Sequence, residues 1–177
     1  MGPPWRGRGY DRAEVARLFY LTGMSQVFAR MTRNGESLLI DQGPIFEMAT
    51  LRAFGPERLL APQHDSWWTT RYQQWAATLD LIVWLEAPAE ILMERIRSRE
   101  KWHAVKDGSL ADMQDYLQRY QTAYEHVVSQ LTAQHSIAVL TFDTSTISTA
   151  AITSEILDQL QCTKDPEMST KAAALAT

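Results

Sequence analysis

The sequence predicts an α/β fold: a three-layer domain with a mainly parallel sheet of about three strands flanked by helices. Three observations carry that expectation. Short apolar runs recur at 37–41, 79–86 and 136–143, and each closes on an acid, Asp41, Glu86 or Asp143. Segments with apolar residues at steps of three and four lie between them, the signature of amphipathic helices. The junctions carry turn and capping residues such as Asn34-Gly35, Gly43-Pro44 and Gly55-Pro56.

Each element has a local reason. Residues 1–11 read as an irregular segment, because Pro3, Pro4, Gly7 and Gly9 oppose a helix. Asp11 suits the N-cap of a helix from Arg12 to about Thr32, whose apolar positions include Val15, Leu18, Phe19, Val27, Phe28 and Met31. Ser37-Leu38-Leu39-Ile40-Asp41 reads as a strand buried on both faces, followed by the turn Gln42-Gly43-Pro44. A helix is expected over Ile45–Phe54, and another, capped by Asp65 or Ser66 and rich in Trp and Tyr, extends to Ala77. Leu79–Glu86 reads as the second strand, and Pro88 fits the first turn of a helix running from about Ala89 to Glu100. From Leu110 the residues Met113, Leu117, Tyr120, Tyr124, Val127 and Leu131 define one face of a long helix. Ser136–Asp143 reads as the third strand, and Thr149–Leu160 as the last helix. The expected organisation is a domain over 12–161 with a disordered tail over 162–177.

Composition excludes several classes. The 177 residues are 45% hydrophobic and 21% charged, which rules out a chain that is mostly disordered. No uncharged apolar run approaches the ~18 residues of a membrane span. Cys162 is the only cysteine, so neither a disulfide framework nor a cysteine-rich zinc site can form. With no secretory pattern at the N-terminus, a cytoplasmic location is expected. The net charge of −4 argues against binding to duplex nucleic acid. The Arg6-Gly7-Arg8-Gly9 run leaves RNA contact through the N-terminal segment as a minor alternative.

Ligands of parallel sheets sit at the carboxyl ends of the strands, which directs attention to Asp41, Glu86 and Asp143. An acid in Asp41's position can hold magnesium, often through water, or accept a proton from an attacking hydroxyl. It can equally open the following turn by a side-chain hydrogen bond. Arg95, Arg97, Arg99 and Lys101 form the densest basic run, with Arg95 and Arg99 on one helix face. Guanidinium forks grip phosphate oxygens, although basic residues near a helix C-terminus are also favoured by the helix dipole. Thr144 and Ser145 follow the last strand, and Trp67, Trp68, Tyr72 and Trp75 could stack on a base or simply fill a core.

Together, Leu38–Pro44, Leu79–Pro88, Glu94–Lys101 and Thr141–Ser145 resemble, in order and spacing, segments of the P-loop nucleoside and nucleotide kinase family. The resemblance covers about residues 12 to 160 and implies ATP-dependent phosphoryl transfer to a nucleoside, a nucleotide or a similar hydroxyl acceptor. By that resemblance Asp41 is a Walker-B-like acid that activates the acceptor or positions magnesium. Arg95 and Arg99 stabilise the transferring phosphoryl group with Arg97 and Lys101 in support, and Thr144 and Ser145 lie near the adenine. Gln42, Trp68 and Arg71 border the acceptor. ATP and magnesium are the implied cofactors, and a homodimer is left open.

The sequence as given contains no Gly-x-x-x-x-Gly-Lys-Ser/Thr and no strand before the first helix. In the family that first strand lies within the sheet, beside the Walker-B strand. The expected explanation is a truncated copy of a longer kinase. The alternatives are direct pairing of the Asp41 and Glu86 strands, or a strand supplied by a partner. The competing functional reading is a non-catalytic, kinase-derived interaction module.

Overall fold

A computed structural model describes residues 9–32 and 37–164. The expected irregular segment at 1–8 and the tail beyond 164 lie outside the described residues. The chain is α/β and mostly helical, with a small two-stranded parallel sheet flanked by helices. It divides into two compact units, the described part of Met1–Asp80 with Lys101–Ile137, and Leu81–Glu100 with the described part of Ala138–Thr177.

The first unit is helical. Helix α1 spans Arg12–Met31, and its start is fixed by a capping box in which the Asp11 carboxylate accepts from Glu14 N and the Glu14 carboxylate accepts from Asp11 N. Helix α2, Pro44–Phe54, opens on a proline whose missing N–H costs nothing there. Two short 3-10 turns, Glu57–Leu60 and Pro62–His64, lead into α3, Asp65–Ala76. Taking the elements of this unit first, the long helix Leu110–Gln134, α5, starts on a second capping box between Ser109 and Asp112. It packs against α2 and α3. The core of the unit contains Leu18, Leu21, Met48, Leu51, Leu59, Trp75, Met113, Val127 and Leu131, all essentially inaccessible. Trp75 ties α3 to α1: its indole N–H donates to the Leu21 carbonyl at 3.0 Å, and its ring stacks on Tyr20 and meets the edge of Phe28.

The second unit holds β1, Leu81–Glu86, then α4, Ala89–Ser98, and after the excursion through α5, β2, Ala138–Asp143, and α6, Thr149–Lys164. The strands pair in parallel from Leu81↔Ala138 to Glu86↔Asp143. The two terminal acids therefore stand side by side at the carboxyl end. Ile82, Met93, Ile96, Phe142 and Ile152 are its buried side chains.

The expected third strand is not formed. Ser37–Ile40 is irregular and Asp41-Gln42 is a turn, with Leu38 exposed and Leu39 90% exposed. The alternative of direct pairing between this segment and the Glu86 strand is not realised, since β1 pairs only with β2 among the described residues. An apolar run becomes a strand only where a neighbour completes its ladder, and none lies beside it here. Nor is β1 or β2 buried on both faces, because Leu85 and Val139 are exposed. A sheet of two strands has outer edges and covers little.

Candidate functional site at the carboxyl ends of the parallel strands

Beyond Glu86 and Asp143 the chain leaves the sheet on both strands, and the polar groups there are organised around Thr144. The Thr144 backbone N–H donates to the Glu86 carbonyl at 2.8 Å, and its hydroxyl donates to the same carbonyl at 3.0 Å. The Arg95 guanidinium, on the last turn of α4, donates through Nη1 to Thr144 Oγ1 at 2.7 Å and through Nη2 to the Thr144 carbonyl at 2.9 Å. One residue thus joins the end of β1, the start of the loop after β2, and the arginine-bearing helix.

Asp143 closes the other side. Its Oδ1 accepts from the Ser145 backbone N–H at 2.8 Å and from the Ser145 hydroxyl at 2.5 Å. Those two hydrogen bonds, with a smaller contribution from the Arg95 charge, hold the Asp143 carboxyl below its ordinary pKa. The Asp143 carbonyl also accepts from the backbone N–H of Ile147 at 3.0 Å, so the loop curls back on itself before α6.

The arginines divide by their place on α4. Arg95 is half-buried and fixed by Thr144, whereas Arg97 is exposed. The helix ends at Ser98, and Arg99 is its C-cap with extended backbone (φ −64°, ψ 136°). Arg95 and Arg99 therefore do not share a continuous helix face as the spacing predicts. The run from Arg97 to Lys101 places three positive charges within five residues, and a helix gains little from extending through them.

The remaining expected site residues belong to the first unit. Asp41 is exposed in the turn, and Gln42 beside it has φ +48°, the one non-glycine positive φ among the described residues. A Cβ at Gly43 would collide with the Ile40 side chain, so this tight turn requires glycine. Lys101 is exposed and also lies in this unit. Trp68, expected to border the acceptor, is instead 4% exposed, and its indole N–H donates to the Leu59 carbonyl at 2.9 Å. Its face stacks on Tyr72 and receives the Arg52 guanidinium. Trp68 is a core residue, since its polar atom is already used. Arg71 is buried to 7% exposure on the same helix.

Sequence reasoning missed an aromatic ladder in this unit. Tyr116, Tyr120 and Tyr124 on α5 meet edge-on or tilted in succession, while Phe54 of α2 stacks on Tyr116 and Phe46 of α2 stacks on Tyr120. Thr50 and Tyr120 share a hydrogen bond at 3.0 Å. Burial, reinforced by Tyr120, pushes the Tyr116 and Tyr124 phenols well above their ordinary range, and the charges of Glu47 and Asp41 add to the shift at Tyr124. The steps of four from Tyr116 to Tyr124 are the signal that would have revealed it.

Among the described residues no group of three His, Cys, Asp or Glu side chains could hold a metal ion. Magnesium needs only one or two carboxylates when phosphates and water supply the other ligands, so Asp41 fits it only in that shared form. Among the described residues no helix is long and apolar enough to cross a membrane. Comparisons with models of protein families, with curated proteins and with solved structures find no match to this chain.

Proposed function

We propose that the chain binds ATP through the carboxyl end of the β1–β2 pair and serves phosphoryl transfer to a nucleoside, a nucleotide or a similar small hydroxyl acceptor. The observation that carries this reading is the Arg95–Thr144 latch above paired strand ends. A guanidinium has five N–H donors, and Thr144 takes two of them. The remaining donors sit on a group already oriented at the edge where parallel sheets bind ligands, so phosphate oxygens meet a preorganised cation. In this reading Arg97 and Arg99 supply further positive charge and Thr144 and Ser145 neighbour the adenine, while the resemblance assigns Asp41, in the first unit, to the acceptor hydroxyl or magnesium. The resemblance likewise assigns Lys101 to the phosphates and Gln42 and Arg71 to the acceptor. The resemblance to P-loop nucleoside and nucleotide kinases supports the same assignment.

The test is a thermal melt with and without millimolar Mg-ATP, on the chain and on Arg95→Met, followed by transfer of labelled phosphate to nucleosides and nucleoside monophosphates. A ligand that binds the native state must raise the melting temperature. The expected result is a rise that Arg95→Met removes, and transfer that Asp41→Asn removes. A chain that Mg-ATP does not stabilise would overturn the reading.

One observation favours a second reading. Leu39, 90% exposed in a segment without strand partners, and the open edge of β1 suit a non-catalytic module that recruits a partner strand. That reading predicts no response to Mg-ATP and a dimeric or partner-bound mass in sedimentation.

A further inference from the structure

Arg71 is the one buried cation among the described residues, and three arginines of the first unit that are more exposed have partners. Arg17 pairs with Glu47, Arg52 reaches the Tyr72 hydroxyl, and Arg119 donates to the Ala53 carbonyl. Arg71 is more deeply buried, at 7% exposure, yet its Nε and Nη1 have no hydrogen-bond acceptor. Among the described residues no carboxylate lies within ion-pair distance of it. A guanidinium cannot shed its charge in a protein, so burial without a counter-ion is a standing cost that tertiary packing has to carry. Burial does lower its pKa, but from a value so high that the group stays charged.

The same helix face holds two more unpartnered polar atoms. Trp67 and Gln74 lie four positions before and three positions after Arg71 on α3, the spacing that aligns side chains along one face. The Trp67 indole N–H is buried without an acceptor, and the Arg71 guanidinium lies 5.8 Å from the Trp67 ring. The Gln74 Oε1 atom is buried without a donor. Buried polar groups in native proteins are nearly all paired, so three exceptions along one helix face, a cationic fork, an indole donor and an amide acceptor, point to a polar ligand.

We propose that this face of α3 is an oxyanion-binding site, in which the Arg71 fork and the Trp67 indole N–H hold a phosphate monoester or a carboxylate of a small ligand. Gln74 Oε1 accepts from a hydroxyl of the bound group. The site rests on the first unit alone and does not require the phosphoryl-transfer reading. If that reading holds, the acceptor carries an anion, as a nucleotide does, and a neutral nucleoside is the poorer substrate.

The experiment compares melting of the full chain in potassium phosphate, potassium acetate and potassium chloride at equal ionic strength, with titration calorimetry for the anion that stabilises. Phosphate or acetate is expected to raise the melting temperature above chloride, and whichever does so names the anion. Arg71→Met should weaken the anion at least about tenfold, and Trp67→Phe about three- to tenfold, since the latter keeps the ring and removes only the donor. In chloride Arg71→Met should melt no lower than the parent, because it removes an uncompensated buried charge, whereas loss of a purely structural arginine would lower it. Arg95→Met should keep the phosphate response while losing that to Mg-ATP, so the two proposals fail separately. Equal melting in all three salts would overturn the site. So would an anion response of the same size in Arg71→Met.

Discussion

Replacing Trp75 should reveal how much of the first unit depends on a single side chain. Trp75 is fully buried, stacks on Tyr20 with centroids 5.8 Å apart, meets Phe28 at the same distance, and donates to the Leu21 carbonyl at 3.0 Å. Trp75→Phe keeps a ring in place and removes the N–H. Leu21 lies inside α1, so its carbonyl keeps its helical partner and is not orphaned. The lost hydrogen bond should therefore cost only about 0.5–1.5 kcal/mol. The smaller ring gives up further apolar burial of roughly 1 kcal/mol, so the total is about 1.5–2.5 kcal/mol. Trp75→Ala removes the stack as well and should cost about 3–5 kcal/mol. Urea unfolding followed by far-ultraviolet circular dichroism measures both, and circular dichroism is preferable to fluorescence because the chain has six tryptophans. A Trp75→Phe loss below about 0.5 kcal/mol, or an alanine variant no worse than the phenylalanine one, would refute the claim that this indole joins α1 to α3.

Three further outcomes follow from local geometry. Arg95→Met and Thr144→Val should be non-additive, with a coupling of about 1–2 kcal/mol in a double-mutant cycle read by thermal melting, because both remove the Arg95 Nη1–Thr144 Oγ1 hydrogen bond, while the bond to the Thr144 carbonyl is lost only with the arginine. Gly55→Ala should cost about 1–3 kcal/mol in urea unfolding, since a Cβ there would press on the Leu51 backbone carbonyl at the end of α2. His126 has its pKa lowered, first by burial and then by the Arg52 charge. The unfolded chain therefore binds the proton more readily, and stability falls as pH drops through the ordinary histidine range toward the lower folded value. Melting curves from pH 7.5 to 5 should show that slope, and His126→Gln should flatten it.

The sequence made the helices legible because their signals are local. Asp11 with Glu14 and Ser109 with Asp112 fix two starts, and the steps of three and four from Met113 to Leu131 mark a face that is buried in the fold. Strand existence is a different matter. Leu38-Leu39-Ile40 has the composition of a buried strand, yet pairing is a property of neighbours, and none flanks it. The Glu86 and Asp143 strands were readable and also pair, since each meets the other's ladder. At the candidate site, Arg95 and Thr144 could be singled out by type, but their contact bridges two segments 49 residues apart, which no spacing rule reports. Trp68 and Arg71 show the same limit in opposite senses. Their composition could not tell that the tryptophan finds a carbonyl deep in the core while Nε and Nη1 of the arginine find no acceptor.

The parallel pairing of β1 with β2 has a consequence for synthesis on the ribosome. The chain leaves the helical unit after Asp80, builds β1 and α4, returns at Lys101 to add α5, and crosses back at Ala138. A nascent chain that has emerged as far as Glu100 has neither the long helix on which α2 and α3 pack nor the partner of β1. The helical unit becomes complete only after Ile137 emerges, and the second unit only after β2 and α6 follow. Until then Ile82 and the faces of α2 and α3 that pack on α5 lack their cover, and a pause in translation between Glu100 and Leu110 would prolong that state. Codon choice in that interval should therefore influence the yield of native chain more than in the stretch that encodes α6.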